Sequence, residues 1–134
     1  MTDRNVRNIG ALSKATGVNV ETIRYYERIA LLPAPDRTPA GYRQYGPDHV
    51  RRLSFIRRGR DLGFSIDAIR ALLRLAEHPE NPCQDADHLA SDHLAEVERK
   101  IEELTRLRDA LRDMTHCHAA SVAECRIIDA LSDP

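Results

Sequence analysis

TGVNVETIRYYERIALL, Thr16–Leu32, opens with a glycine suited to stopping one helix and an asparagine suited to starting the next. Just before it, IGALSKATGV (Ile9–Val18) places Ile9, Leu12 and Ala15 at helical intervals. This predicts a short amphipathic helix with those three side chains inward and Gly17 as its stop. Asn19 is the expected N-cap of a second helix, VETIRYYERIALL (Val20–Leu32), which PAPDRTP then breaks. Two short helices joined by a tight turn containing glycine form a helix-turn-helix.

Working outward, DRTPAGYRQYG (Asp36–Gly46) reads as a loop or small hairpin. Pro47 suits the first turn of a third helix, PDHVRRLSFIRRGRDLG, with Val50, Leu53, Phe55 and Ile56 on its apolar side. Arg51, Arg52, Arg57, Arg58 and Arg60 fall on its other side. Gly63 ends that helix, and Ser65 can cap IDAIRALLRLAE, which stops at His78-Pro79. From Asp85 to Met114 there is no proline or glycine, and Ala90, Leu94, Val97, Ile101, Leu104, Leu107, Leu111 and Met114 recur at three- and four-residue steps. That is a coiled-coil stripe on a helix of about 45 Å, and no other segment is long enough to cover it, so a homodimer is expected. A short amphipathic helix, VAECRIIDALSDP, closes the chain with Ile127, Ile128 and Leu131. The expected organisation is a DNA-binding domain over 7–76, a linker over 77–84, a dimerisation helix over 85–114 and a loop with a short helix over 115–134.

The net charge of −1 conceals a division. Residues 1–76 hold 14 Lys and Arg against 7 Asp and Glu, a net of +7, while residues 77–134 hold 6 against 14, a net of −8. A basic module for a polyanion is thus joined to an acidic module with another task. No stretch has the apolar length of a membrane span, the start MTDRNVRN is polar, and the cysteine count is odd, so a reducing, cytoplasmic setting without membrane contact is expected. No nucleophile–base pair, phosphate loop or suitably spaced carboxylate pair stands out, so an enzyme is not expected.

Two of the three cysteines lie in HCHAASVAEC, His116–Cys125, and the third is Cys83 in NPCQDAD. Cys117 and Cys125 can grip a soft or borderline metal as thiolates, with His116 and His118 as further candidate ligands. Cys83 stands at the opposite end of the long helix, so a site within one chain is excluded by length. Two such helices paired antiparallel would bring Cys83 of one copy to Cys117 and Cys125 of the other, giving two shared sites. His88 and His93 read as solvated or seam histidines, with His88 a possible outer contact to the partner's loop. His49 and His78 read as surface residues.

With these residues in hand, the sequence resembles the MerR family of bacterial transcription regulators from about Ile9 to Leu131. TGVNVETIRYYERIALL followed by GYRQY is its most specific part, and the second half is similar to the metal-sensing branch. The resemblance implies a mainly α fold: a winged helix-turn-helix domain, a long antiparallel coiled-coil dimerisation helix and a C-terminal metal-binding loop. It implies a homodimer on double-stranded promoter DNA that bends and untwists an over-spaced promoter, so that RNA polymerase can start when inducer is bound. By position, Arg24 would meet the major groove, Tyr26 the DNA backbone, and Arg37, Tyr42 and Arg43 the phosphates beside the wing, with Arg60 a further basic contact. Tyr25 and Tyr45 fit either core or interface.

Cysteine at position 83 is similar to sensors of divalent ions, whereas sensors of monovalent copper and silver typically carry serine there. The expected inducer is therefore zinc or cadmium, then mercury or lead, held by Cys83, Cys117 and Cys125. Two alternatives keep the fold. One is a Cu(I) or Ag(I) sensor using only Cys117 and Cys125, whose spacing copper sensors share; the other is a thiol-redox sensor.

Overall fold

The computed structural model describes residues 8–134; residue 7, where the DNA-binding domain is expected to begin, and the polar segment MTDRNVR lie outside the described residues. The chain forms two compact units, one ending at Ala86 and the other spanning Asp87–Pro134. It is mainly helical, and no helix among the described residues is long and apolar enough to cross a membrane.

In the first unit, α1 (Ile9–Thr16) and α2 (Val20–Arg28) form the helix-turn-helix. Asn8 and Asn19 cap them, each side-chain oxygen accepting a backbone N–H at 2.8 Å, from Ala11 and Thr22 respectively. Gly17 closes α1 at φ 76°, its N–H donating to the Ser13 carbonyl at 2.8 Å. Ala15, expected inward, is exposed, and Thr16 is buried instead. The buried face runs through Ile9, Leu12 and Thr16, and the Thr16 hydroxyl is satisfied by donating to the Leu12 carbonyl at 2.8 Å.

Helix α2 ends at Arg28, short of the expected Leu32. Ala30 takes a left-handed φ of 58°, and the N–H groups of Leu31 and Leu32 both donate to the Tyr26 carbonyl, at 2.9 and 3.1 Å. This turn sends both leucines into the core, whereas a continuing helix would set adjacent side chains about 100° apart. Strands β1 (Asp36–Arg37) and β2 (Arg43–Gln44) then pair antiparallel as a small wing, with Arg37 opposite Arg43.

Helix α3 (Pro47–Asp61) and α4 (Ile66–Ala76) complete the unit, with Ser65 capping α4 through a 3.1 Å bond from the Ala68 N–H. Val50, Leu53 and Ile56 form the inward stripe of α3, joined by Leu12, Ile23, Tyr45 and Ile69. Phe55 lies off that stripe and is 37% exposed, contrary to its expected inward place.

Helix α5 (Cys83–Met114) begins inside the stretch read as a linker, immediately after Pro82. None of its 32 residues is buried, and Leu94, Ile101, Leu104, Leu107 and Leu111 are all more than half exposed. The expected closing helix is interrupted. Val122–Glu124 make a 3-10 turn, Cys125 is extended, and α6 runs over Arg126–Ser132.

Gly17 has two reasons to be glycine. Its φ is positive, and a Cβ there would stand 2.0 Å from a terminal nitrogen of Arg57, which donates to the Thr16 carbonyl at 2.5 Å. Gly17→Ala is expected to destabilise the protein by about 1–2 kcal/mol. In a thermal melt that is a fall in Tm of roughly 4–16 °C for a domain of this size. An unchanged Tm would refute this role.

Candidate DNA interface and metal-binding loop

Helix α2 and the wing meet at Glu27. Its carboxylate accepts the Tyr45 hydroxyl at 2.9 Å and faces the Arg43 guanidinium at 3.5 Å. Arg24, Arg28 and Arg43 share a shallow recess with Glu27, so three cations surround one acid. Arg28 also lies over the Tyr25 ring, 5.8 Å from its centre.

Arg37 donates to the Gly41 carbonyl at 2.9 Å, bracing the wing turn, while Tyr42 projects into solvent at 73% exposure. Arg60 stands at the other end of α3 from the wing and donates to the Phe64 carbonyl at 2.7 Å. Tyr26 is packed in the core at 7% exposure, so only its rim reaches the surface. Of the two tyrosines left open by sequence, Tyr45 is a core residue and Tyr25 is exposed.

His49, expected at the surface, is half-buried. Its ring meets Tyr45 edge-on at 5.2 Å, and Nδ1 accepts the Gly46 N–H at 3.2 Å, bracing the start of α3. Nε2 is buried without a hydrogen-bond partner among the described residues.

Three arginines of α3 and α4 reach backbone carbonyls, Arg52 and Arg70 half-buried and Arg57 from an exposed position. Arg52 donates to Leu31 at 2.8 Å, Arg57 to Thr16 at 2.5 Å, and Arg70 to Ile29 at 2.9 Å and Ala30 at 3.3 Å. Their acceptors lie at the end of α1 or just after α2, where helices leave carbonyls unpaired and cations are favoured. By spacing both Arg52 and Arg57 fall on the basic side of α3, where Arg57 indeed stays exposed while Arg52 is half-buried. The clue that spacing lacks is long-range: which carbonyls lie opposite.

In the second unit, Cys117 and Cys125 are both half-buried, and the Cys125 side chain lies near enough to act on the Cys117 thiol. The thiol of Cys117 is pulled below its usual range, first by the N–H of Ala119, then by the N–H of Arg126. The Cys125 side chain and the Arg126 charge add to this, while partial burial opposes it. The Arg126 guanidinium also donates to the Thr115 carbonyl at 2.8 Å, tying α6 to the end of α5. His116 holds a left-handed φ of 66° between the two cysteine-bearing segments and the helix, and His118 is exposed. Cys83 is exposed as the first residue of α5, and no three His, Cys, Asp or Glu among the described residues gather as a metal cluster within one chain.

The helix-turn-helix and wing coincide with residues 7–76, which match the MerR HTH family regulatory protein model. Residues 50–114 match the model described as MerR, DNA binding. The chain belongs to the MerR family. It is a transcription regulator and not an enzyme. Among its relatives, the heavy metal-dependent transcription regulator 2 of Rhizobium meliloti is 40% identical, covering 94% of this chain and 86% of that protein. The mercuric resistance operon regulatory protein of Bacillus cereus is 42% identical, covering 92% and 95%. The lead(II) complex of the transcription regulator PbrR691 from Ralstonia metallidurans CH34 superposes with a TM-score of 0.82 at 39% identity, covering 93% and 98%.

Tyr45 supplies a pH test of the α2–wing junction. Burial first, then the Glu27 acceptor and its charge, raise the phenol above its usual value near 10, against the lowering influence of Arg43. A raised folded-state value means the protonated phenol contributes stability that is fully present below the unfolded value and lost as pH rises through the folded one. Tyr45→Phe has no such proton to lose. Between about pH 8 and about pH 11, urea midpoints of the variant are expected to fall less than those of the wild type. Parallel declines would remove the assignment.

Proposed function

We propose that this MerR-family protein is a divalent-metal-responsive activator whose site is divided between two copies. Cys83 of one copy joins Cys117 and Cys125 of the other, with His116 or His118 available as a fourth ligand. The observation that carries the reading is the loop that places Cys117 and Cys125 near one another, with backbone N–H groups and a guanidinium favouring the thiolate of Cys117. These donors suit a soft or borderline ion, and a third thiolate fills out the site for zinc or cadmium, then mercury or lead. The relatives named for mercuric resistance and seen with lead(II) favour the same class.

The exposed stripe of α5 supports dimerisation, because an apolar seam of this length is stable only when covered. Pairing the helices antiparallel sets the first residue of one α5 beside the loop following the other. Leu104, Leu107 and Leu111 line a hollow that continues to Thr115 and His116, so the seam runs directly into the loop. When bound, the metal supplies a cross-link between the two chains through soft-ligand bonds.

In the first unit, Arg24 enters the major groove and Arg37, Tyr42 and Arg43 hold phosphates. Arg60 adds a contact and the rim of Tyr26 touches the DNA backbone, a division that favours affinity and register over base reading. The dimer then distorts an over-spaced promoter, letting RNA polymerase start transcription of metal-resistance or efflux genes. That distortion makes the response depend on DNA deformability as much as on sequence.

A second reading uses Cu(I) or Ag(I) with Cys117 and Cys125 alone, favoured by their pairing within one chain. Reporter expression titrated with zinc, cadmium, mercury, lead and copper salts separates the classes. Cys83→Ser is expected to abolish the divalent response while operator binding persists; full induction of that variant would leave the two-cysteine reading. Mixed dimers test the sharing directly. A Cys83→Ser chain and a Cys117→Ser chain each lack a complete site alone. Together they should recover one intact three-sulfur site per mixed dimer, read as lead(II)–thiolate absorbance. No recovery on mixing would refute a site divided between copies.

A further inference from the structure

We propose that Glu27 is a positioning residue for DNA binding, holding the wing arginine Arg43 against α2 in the attitude that meets a phosphate. This rests on the reading of Arg43 as a phosphate contact given above. An acid placed among Arg24, Arg28 and Arg43, on a face suited to a polyanion, repels the ligand unless it serves another purpose. Its surroundings identify that purpose. The Glu27 side chain is only 12% exposed, and its two oxygens are divided: Oε1 accepts the Tyr45 hydroxyl at 2.9 Å, and Oε2 faces an Arg43 nitrogen at 3.5 Å.

Tyr45 is fully buried and set edge-on to His49 in the first turn of α3. Glu27 is therefore fixed from the core side and presents its free oxygen to the wing. Arg43 needs such a hold. It lies directly across the two-stranded wing from Arg37, and like charges at opposed positions push apart. The carboxylate offsets that repulsion and limits the rotamers of a long side chain before DNA arrives, which lowers the ordering cost of binding. The wing consists of only two residue pairs, so the Glu27 bracket links it to α2 as well as to the core.

The proposal and simple electrostatics predict opposite signs. Removing an acid near phosphates would ordinarily tighten binding and leave every phosphate contact in place. If Glu27 positions Arg43, removing it costs a contact. The experiment titrates a labelled duplex, selected from a random pool by the wild-type chain, with wild type, Glu27→Gln, Arg43→Ala and the double variant across a salt series, thermal melts confirming folding. Glu27→Gln is expected to weaken binding about three- to tenfold and to reduce the steepness of the salt dependence by about one, as Arg43→Ala does. The double variant should bind no more weakly than Arg43→Ala.

Equal or tighter binding by Glu27→Gln with undiminished salt dependence overturns the proposal, as does a fully additive double variant. Unchanged affinity and salt dependence for Arg43→Ala would instead overturn the phosphate reading on which it rests. If Glu27→Gln melts as an unfolded chain, Glu27→Asp, which keeps the charge but withdraws it by one methylene, serves with the same expected direction.

Discussion

The DNA-binding unit depends on how its two shortest helices end. At 8 and 9 residues, α1 and α2 are far below the length at which a helix is stable alone in water. Each gains stability from the shared core, but burial does not satisfy the carbonyls left at a helix C-terminus. Here the guanidinium groups of Arg57, Arg52 and Arg70 close that account, reaching from α3 and α4 to Thr16, Leu31, Ile29 and Ala30. Hydrogen bonds from a charged donor to a carbonyl are among the stronger ones available, and four of them, from three arginines, converge on the ends of two helices. They fix the direction in which α2 leaves the core, and so the direction in which Arg24 and Glu27 point.

This changes what the charge asymmetry means. The surplus of +7 over residues 1–76 is a property of the sequence, but part of it is engaged inside the domain. Arg52 divides its guanidinium between the Leu31 carbonyl and Glu77, at 2.8 and 3.1 Å, and Arg70 is occupied by the turn after α2. The cations left to face a polyanion are fewer, and several of them gather where α2 meets the wing. Net charge measures attraction at a distance, whereas placement decides which arginines can release counterions from DNA.

Much of the architecture is legible from local rules. Asn8, Asn19 and Ser65 cap where a short polar side chain before an apolar run should, and Gly17 ends α1 as a left-handed residue. The misreadings share a physical origin. Extending α2 to Leu32 follows the helical spacing of apolar residues, yet Leu31 and Leu32 reach the core through a turn at Ala30 that no local preference announces. Phe55 and Ala15 are apolar side chains just off a buried stripe, and periodicity alone assigns their faces only coarsely. The site residues divide the same way. Residue type marks Cys117 and Cys125 as a pair, and the loop does bring them together. The roles of Glu27, Arg52 and Arg57 depend on partners 16 to 41 positions away, beyond any spacing pattern.

Helix α5 presents the inverse problem. A core normally covers the apolar face that creates it, but here 32 residues form a regular helix in which no side chain is buried. Helical propensity and ion pairs such as Arg99 with Glu96 support the rod, and these exposed pairs contribute little. The uncovered leucines therefore set the condition for its stability: a second apolar surface of equal length, which a second copy of the same helix provides. The same seam leads through Leu111 to Thr115 and His116, at the edge of the cysteine loop. On the proposed shared site, the cover that completes the fold and the metal's ligands lie along one seam.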